Sequence, residues 1–213
     1  VDPEESERTA PQQVYLEGLI DDLGYALAAP DFTSPATGLH YSEIIDVDAF
    51  IDHHILNILF KNPDAFRLSG YMHKDRGGLI VAGPMWDLDR TAGGNDLRCL
   101  DPFLWDATNL TSDTTPAFTW GWYGGMFNDA DFRDRYFKRL SELLAGELSL
   151  ESILGLIAEM EQTIGEAGDR NAVRWGAADF SGEIDSLEAW FSARHSWLTD
   201  CLDEGGDPRN CSP

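Results

Sequence analysis

Two aspartates, Asp87 and Asp89, follow an apolar run in the segment GPMWDLDRTAGGN, which covers residues 83–95. The apolar run predicts a buried strand, so both carboxylates fall where the chain leaves the core. Carboxylates at such a place are costly unless a cation, an ion pair or hydrogen bonds compensate them. A bound metal ion would do so. The alternative for Asp87, Asp89 and Asn95 is an ordinary capping or loop-ordering role.

Two kinds of metal site are disfavoured by the spacing. An EF-hand calcium loop needs Gly at its sixth position and Glu at its twelfth. Counted from Asp87, these positions hold Ala92 and Arg98, so the pattern fails. Zinc needs clusters of His or Cys. His53 and His54 are neighbours on different faces of a predicted helix, and we expect one to be packed and the other solvated.

A magnesium–phosphate site fits the pattern better. Mg²⁺ keeps several waters and is usually held by one or two carboxylates together with substrate phosphates. Kinases place a catalytic Asp shortly before a hairpin, a metal-binding Asp after it, and an Asn ligand five residues past the catalytic Asp. Here Asp64 precedes the predicted hairpin, Asp87 follows it, and Ser69 stands at the Asn position. The alternative for Asp64 is a turn residue after Asn62-Pro63.

The remaining pattern predicts the elements that hold these residues. The fold class is α+β, mostly helical, with a central β-hairpin formed by residues 69–73 and 79–86 around the turn KDRGG. The composition of residues 1–10 predicts a disordered segment, and that of residues 93–121 predicts a long irregular stretch. Apolar residues at helical spacing predict helices over about 11–29, 46–60, 129–146, 149–168 and 182–202.

Several segments together resemble the spore coat protein H (CotH) kinase family. The longest is VDAFIDHHILNILFKNPDAFRLSGYMHKDRGGLIVAGPMWDLDRTAGGN, which contains the family's NxD turn and its GPxWDxDxxxG motif. DADFRDRYFKRLSEL, RNAVRW and SLEAWFSARHSWL resemble the helical segments of the same family. The resemblance covers about residues 45–200, and the upstream NxD combined with WDxD is highly specific.

The resemblance implies an atypical protein-kinase-like fold that uses ATP with Mg²⁺ or Mn²⁺ to phosphorylate Ser or Thr of a protein substrate. It implies that Asp64 orients the acceptor hydroxyl and that Asp87 binds the metal. Asp89 would be a further metal-site group. Ser69 would be a metal and nucleotide ligand in place of Asn, and Trp86 would position the aspartate pair.

The chain nevertheless lacks a recognisable segment to cover the phosphates. No β-rich stretch with a phosphate-binding lysine precedes Asp64, and Lys74 reads as a surface residue of the hairpin, paired with Asp75. We therefore expect residues 11–213 to form a carboxyl-terminal kinase lobe, with the amino-terminal lobe absent from this chain and the lobe inactive alone. The alternative is a non-catalytic kinase-like binding or structural module of a cell or spore surface.

The net charge and the cysteines restrict the possible partners and the cellular location of the protein. The net charge of −23 comes from 15 basic and 38 acidic residues, which disfavours nucleic acid as a partner. No apolar run is long enough to span a membrane. Cys201 and Cys211 bracket a polar loop and form either a disulfide or two free thiols. The family resemblance favours an exported, cell-surface or spore-coat location over the cytoplasm.

Overall fold

The computed structural model describes residues 4–94, 96–107, 115–176, 179–204 and 206–211. Within these ranges the chain forms six helices and one two-stranded antiparallel hairpin, which confirms the predicted α+β, mostly helical class. Short 3₁₀ turns lie at Glu5–Glu7, Tyr41–Glu43 and Pro208–Asn210. In chain order the longer elements are α1 (Ala10–Ala28), α2 (Val47–Phe60), β1 (Met72–Lys74), β2 (Ile80–Ala82), α3 (Gly121–Met126), α4 (Ala130–Ala145), α5 (Leu150–Trp175) and α6 (Phe180–Asp203).

Helix α2 forms the centre of the core. Its first turn is capped by Asp46, whose side chain accepts a hydrogen bond from the Ala49 amide at 3.1 Å, as expected of an N-cap carboxylate. The helix ends where Lys61 adopts a left-handed conformation, two residues before Pro63. Most of its side chains are buried, so α2 has no broad solvent face.

The burial of α2 overturns the expectation for its two histidines. Both His53 and His54 are buried, because neighbouring elements cover the helix on both of the sides from which the two rings project. His54 Nδ1 lies 2.9 Å from the hydroxyl of Tyr136, and its Nε2 lies 2.8 Å from the carbonyl oxygen of Ala117. A carbonyl only accepts, so Nε2 carries the proton and Nδ1 accepts from the tyrosine. Burial lowers the pKa of His54 to about 3, opposed in part by the Ala117 hydrogen bond.

The hairpin lies beside the start of α2. Met72 pairs with Ala82 in its register, and Ile80 exchanges main-chain hydrogen bonds with the chain just before α2. The second strand is shorter than predicted and ends at Ala82, because Pro84 has no N–H to continue the ladder. The chain before β1 starts directly after α2, and the loop after β2 contacts the C-terminal half of α2 through Met85 and Ala92.

The C-terminal helices differ in how much they bury. The apolar face of α4 is buried as its pattern predicts. Helix α5 runs past its predicted end near residue 168 to Trp175, and only Ile153 and Ile157 are buried on it. Leu156, Met160 and Ile164 are 54%, 62% and 49% exposed, since α5 packs mainly against one other element, α6.

A disulfide joins Cys201, at the end of α6, to Cys211, which decides between the two alternatives left open by the sequence. The third cysteine, Cys99, is buried. Within the described residues, no helix is both long and apolar enough to cross a membrane.

Candidate phosphotransfer site

The side chain of Asn62 stabilises the loop that carries Asp64 through two hydrogen bonds. The Asn62 side chain donates to the Asn57 side chain at 3.2 Å and accepts from the Asp64 amide at 3.1 Å. The Asp64 carbonyl then accepts from the amides of three following residues, ending with Ser69 at 3.0 Å. Because Asn62 and the main chain satisfy the turn, the Asp64 carboxylate is not needed as its cap.

The Asp64 carboxylate instead faces arginines that sequence reasoning missed. Its Oδ1 lies 3.3 Å from Arg67 and 3.3 Å from Arg98, and its Oδ2 lies 3.7 Å from Arg90. Arg67 is the one with a sequence signal, since it lies three residues after Asp64, within reach of the same turn. The other two come from the loop after the hairpin and are brought close only by the tertiary fold.

A second carboxylate, Asp96, orders these arginines. Arg98 forms a fork-shaped pair with it through Nε at 3.0 Å and Nη2 at 2.7 Å, and Arg90 lies 2.6 Å away. The hydrogen bonds from Arg98 lower the pKa of Asp96 to about 2. Two acidic and three basic side chains therefore form one compensated cluster, in a protein whose overall charge is strongly negative.

Asp87 approaches the Asp64 loop through Ser69. The Ser69 hydroxyl donates to Asp87 Oδ2 at 3.2 Å, while the Ser69 amide is bonded to the Asp64 carbonyl. Asp87 is exposed and has a φ of 62°, a left-handed conformation that costs a non-glycine residue roughly 1 kcal/mol or more. Asp89 is also exposed, and Asn95 lies outside the described residues.

Trp86 does not occupy the core. It is 57% exposed and packs edge-to-face on Tyr71, with ring centroids 5.7 Å apart. The reason is the early end of β2: the chain leaves the core at Gly83-Pro84, so Trp86 stands on the surface beside Asp87. Its contact with Tyr71 ties the aspartate motif to the residue that leads into β1.

The loop after the aspartates is fixed to α2 and α6. The Ala92 amide donates to the Phe60 carbonyl, at the end of α2, at 2.9 Å. Gly93 has a φ of 76°, and a Cβ there would lie 2.6 Å from Cδ1 of Trp190 on α6. Trp190 Nε1 donates to the Cys99 carbonyl at 3.0 Å. A glycine is therefore required both by the conformation and by the close approach of the indole.

Arg194 joins the same loop to the end of α2. It is fully buried and donates to the carbonyls of Ile58, Pro102 and Leu104 at 2.6–2.8 Å. A cation at the C-terminal end of a helix is also stabilised by the helix dipole. Trp190 and Arg194, both in the segment SLEAWFSARHSWL, thus position the loop that bears the candidate site.

The described residues offer few ligands for a metal. No group of three or more His, Cys, Asp or Glu among them could hold a metal ion. Asp87 and Ser69 supply one carboxylate and one hydroxyl oxygen, a set that suits a hard cation held mainly by phosphates and water. These residues therefore fit a magnesium–nucleotide complex better than a metal bound by protein alone.

Each of the chain's three lysines is engaged away from Asp87. Lys61 is buried and donates to the Asp101 carbonyl at 2.7 Å. Lys74 donates to the main-chain carbonyl of Asp75 at 3.2 Å and lies over the Tyr15 ring. Its partner is thus the Asp75 main chain rather than the carboxylate. Lys138 lies on α4, 3.8 Å from Glu142. Each of the three lysines therefore has a partner other than Asp87.

Comparison with known proteins defines the class of the protein as kinase-like. The family model described as CotH kinase protein matches residues 2–198, and the chain belongs to this family. The match begins well before residue 45, so α1 and the loop after it are part of the family region. Neither the curated proteins nor the solved structures gave a match. Membership implies, in general terms, a protein substrate and the use of a nucleotide and a metal, and it is compatible with a surface location.

Proposed function

We propose that this protein is the catalytic and metal-binding lobe of a protein kinase that transfers phosphate from ATP to Ser or Thr of a protein. In this proposal Asp64 orients the acceptor hydroxyl, and Asp87 and Ser69 hold Mg²⁺ or Mn²⁺ with the nucleotide. Asp89 is a further group of the metal site. Family membership supports the reaction class, and the geometry of Ser69 supports the assignment of roles.

The observation that carries the proposal is the double contact of Ser69. Its amide bonds to the Asp64 carbonyl at 3.0 Å, and its hydroxyl bonds to Asp87 Oδ2 at 3.2 Å. One residue therefore links the turn before the hairpin to the loop after it. Adding the length of a serine, the Asp64 carbonyl oxygen and the Asp87 carboxylate lie within about 10 Å of each other. This link between the Asp64 main chain and Asp87 supports the proposal that the two residues belong to one site.

The arginines around Asp64 support a role as the acceptor-orienting group. Arg67 and Arg98 contact Oδ1 at 3.3 Å, whereas the contact of Oδ2 with the half-exposed Arg90 is longer, at 3.7 Å. We assign Oδ2 as the oxygen that accepts the hydrogen bond of the substrate hydroxyl. The nucleotide-bound cation, when present, neutralises charge that develops on the transferred phosphoryl group. Asp64 holds the incoming hydroxyl in line, and Asp87 fixes the cation.

We also propose that catalysis needs a covering lobe that supplies a phosphate-binding lysine. The positions of Lys61, Lys74 and Lys138 support this, since each has its partner elsewhere. The 213-residue chain alone should therefore transfer phosphate very slowly. A surface or exported location is supported by the Cys201–Cys211 disulfide, because disulfides persist in oxidising compartments.

The test is a transfer assay on the full-length parent, meaning the natural protein that contains residues 1–213, with ATP, Mn²⁺ or Mg²⁺, and a library of Ser- and Thr-containing peptides. Asp87→Ala and Asp64→Ala should each reduce the rate at least 100-fold. Asp75→Ala, in the exposed hairpin turn, is the matched control and should keep the full rate. If both site variants keep near-normal turnover, the assigned roles are wrong.

Nucleotide-dependent thermal stabilisation separates the two aspartates. ATP should raise the melting temperature of the full-length protein only when a divalent cation is present. Asp87→Ala should lose this shift, because it removes the cation ligand. Asp64→Ala should keep it, because Asp64 acts on the acceptor. A shift that survives in Asp87→Ala would contradict the metal assignment.

A second candidate is a kinase-like surface module without catalysis. Ser69 favours it, because a hydroxyl replaces the amide that serves as a metal ligand at this position in kinases. This candidate predicts no nucleotide-dependent shift with any divalent cation. A domain stabilised by calcium alone would instead gain stability from Ca²⁺ without nucleotide. Ser69→Asn tests the point directly, since it should strengthen nucleotide binding only if position 69 is a ligand.

A further inference from the structure

A pocket of about 230 Å³ lies beside the Asp64 loop, and no role has been assigned to it. Ala65, Phe66 and Arg67 line it together with the segment 120–123. We propose that this pocket binds one apolar side chain of the protein substrate, close in sequence to the acceptor Ser or Thr. This inference rests on the proposed kinase function and adds a substrate preference to it.

The chemistry of the lining selects an apolar group. The aromatic residues Phe66, Trp120 and Trp122 line the space, and Trp120, 38% exposed, is accessible from solvent. Burial lowers the pKa of His53, which also lines the pocket, and so favours its uncharged ring. The charged lining residue, Arg67, directs its guanidinium to Asp64. A charged ligand would thus lose its hydration here, while the charged lining residue already has an ion-pair partner in Asp64.

The size of the pocket favours a single side chain over a larger ligand. Small-molecule sites usually measure about 300–1,000 Å³, which is larger than this pocket. An apolar cavity of about 150 Å³ already accommodates a benzene molecule. The pocket therefore has room for a side chain of the size of Leu or Phe.

The position of the pocket places this side chain near the acceptor. Its wall begins at Ala65, the residue directly after Asp64, and Arg67 both lines the pocket and contacts the Asp64 carboxylate. A bound peptide advances about 3.3 Å per residue when extended. An acceptor hydroxyl at Asp64 would therefore bring a side chain one to three residues away to the pocket.

A direct binding experiment on the 213-residue protein tests the pocket without any phosphotransfer. N-acetyl-phenylalaninamide is titrated while the indole N–H signals of the tryptophans are followed by NMR, with N-acetyl-alaninamide as the negative probe. Saturable, millimolar binding should shift the signals of Trp120 and Trp122. Trp120→Ala should weaken binding at least fivefold. The matched control is Trp175→Ala, which removes a 73% exposed tryptophan of α5 and should change nothing. Equal responses to both probes would overturn the proposal.

The second experiment measures substrate preference with the full-length parent. Peptides with one Ser acceptor carry Phe or Gly at each of three positions on either side. At one position Phe should raise kcat/KM about tenfold, and Trp120→Ala should reduce this preference below twofold, whereas Trp175→Ala should preserve it. Transfer to all peptides at one rate would refute the pocket's role and leave the kinase function standing. An absence of any transfer by the parent protein would instead refute the kinase function, and the pocket's substrate role with it.

Discussion

Lowering the pH should destabilise the fold through His54, and the effect can be worked out from its environment. The ring is fully buried, and its two nitrogens are committed to Ala117 and Tyr136. Burial lowers its pKa from the ordinary value of 6.5 to about 3. In the unfolded chain the same ring takes up a proton near pH 6.5. Acid therefore favours the unfolded state over the whole interval between these two pKa values.

The sign and the size of this change in the free energy of unfolding follow from proton linkage. The contribution of neutral His54 is fully present above pH 6.5 and is lost as the pH falls toward 3. Within this interval the free energy of unfolding falls by about 1.4 kcal/mol per pH unit. Between pH 7.5 and pH 5.0 the loss from this residue amounts to about 2 kcal/mol. The value at pH 5.0 is insensitive to the folded pKa, provided that it lies well below 5.

The assay is urea unfolding followed by tryptophan fluorescence at pH 7.5, 6.5, 5.5 and 5.0, with the disulfide intact. His54→Gln should be less stable than wild type at pH 7.5, and this difference should shrink by about 2 kcal/mol at pH 5.0. Using the difference cancels the titration of the many carboxylates. His73→Gln, in the exposed strand β1, is the control for replacing a solvated histidine. A difference between wild type and His54→Gln that is constant with pH would refute the reasoning.

Two further substitutions test the loop that bears the candidate site. Asp96→Asn should lower the free energy of unfolding by about 2 kcal/mol at pH 7, since it weakens the pair with Arg98. Urea titrations should show this difference between the variant and wild type vanishing as the pH falls from 4 to 2, where the lowered pKa of Asp96 is reached. Gly93→Ala should cost about 3 kcal/mol, because the new Cβ meets Trp190 in addition to the left-handed φ. Gly38→Ala is the control, because Gly38 has a φ of 74° but open space where a Cβ would lie; it should lower the free energy of unfolding by only about 1 kcal/mol. If urea unfolding showed equal losses of stability at the two glycines, the clash with Trp190 would be contradicted.

The sequence predicted which residues form the candidate site and their order along the chain, but it did not predict the contacts among their side chains. The spacing of Asp64, Ser69 and Asp87 around a predicted hairpin was sufficient to pick out the three residues. The pairing of Ser69 with Asp87 and the arginines on Asp64 depend on contacts across many residues. Arg90 and Arg98 lie in an irregular loop, which has no periodicity from which a side-chain direction could be inferred.

The same division applies to the packing. Helical spacing placed α2, α4 and α6 within a few residues of their ends, because each has an apolar face and recognisable start or stop signals. The spacing could not tell that α2 is covered on both sides of its histidine pair, or that Leu156 and its neighbours on α5 stay in solvent. An apolar pattern reports which face could be buried, and a partner element has to be present for that burial to occur.

By itself, the sequence determined five of the six described helices, the hairpin and the aspartate motif, since these depend on local conformational preference and on residue spacing within one segment. The short helix α3 was missed, because its stretch is rich in glycine and has no apolar periodicity. Only the tertiary structure decided that Trp86 lies outside the core, that Cys201 joins Cys211, and that Arg194 ties a distant loop to α2. These outcomes depend on which surfaces meet when the chain folds. Pairs of residues far apart in the sequence settle that question through packing and hydrogen bonding, and no single segment encodes it.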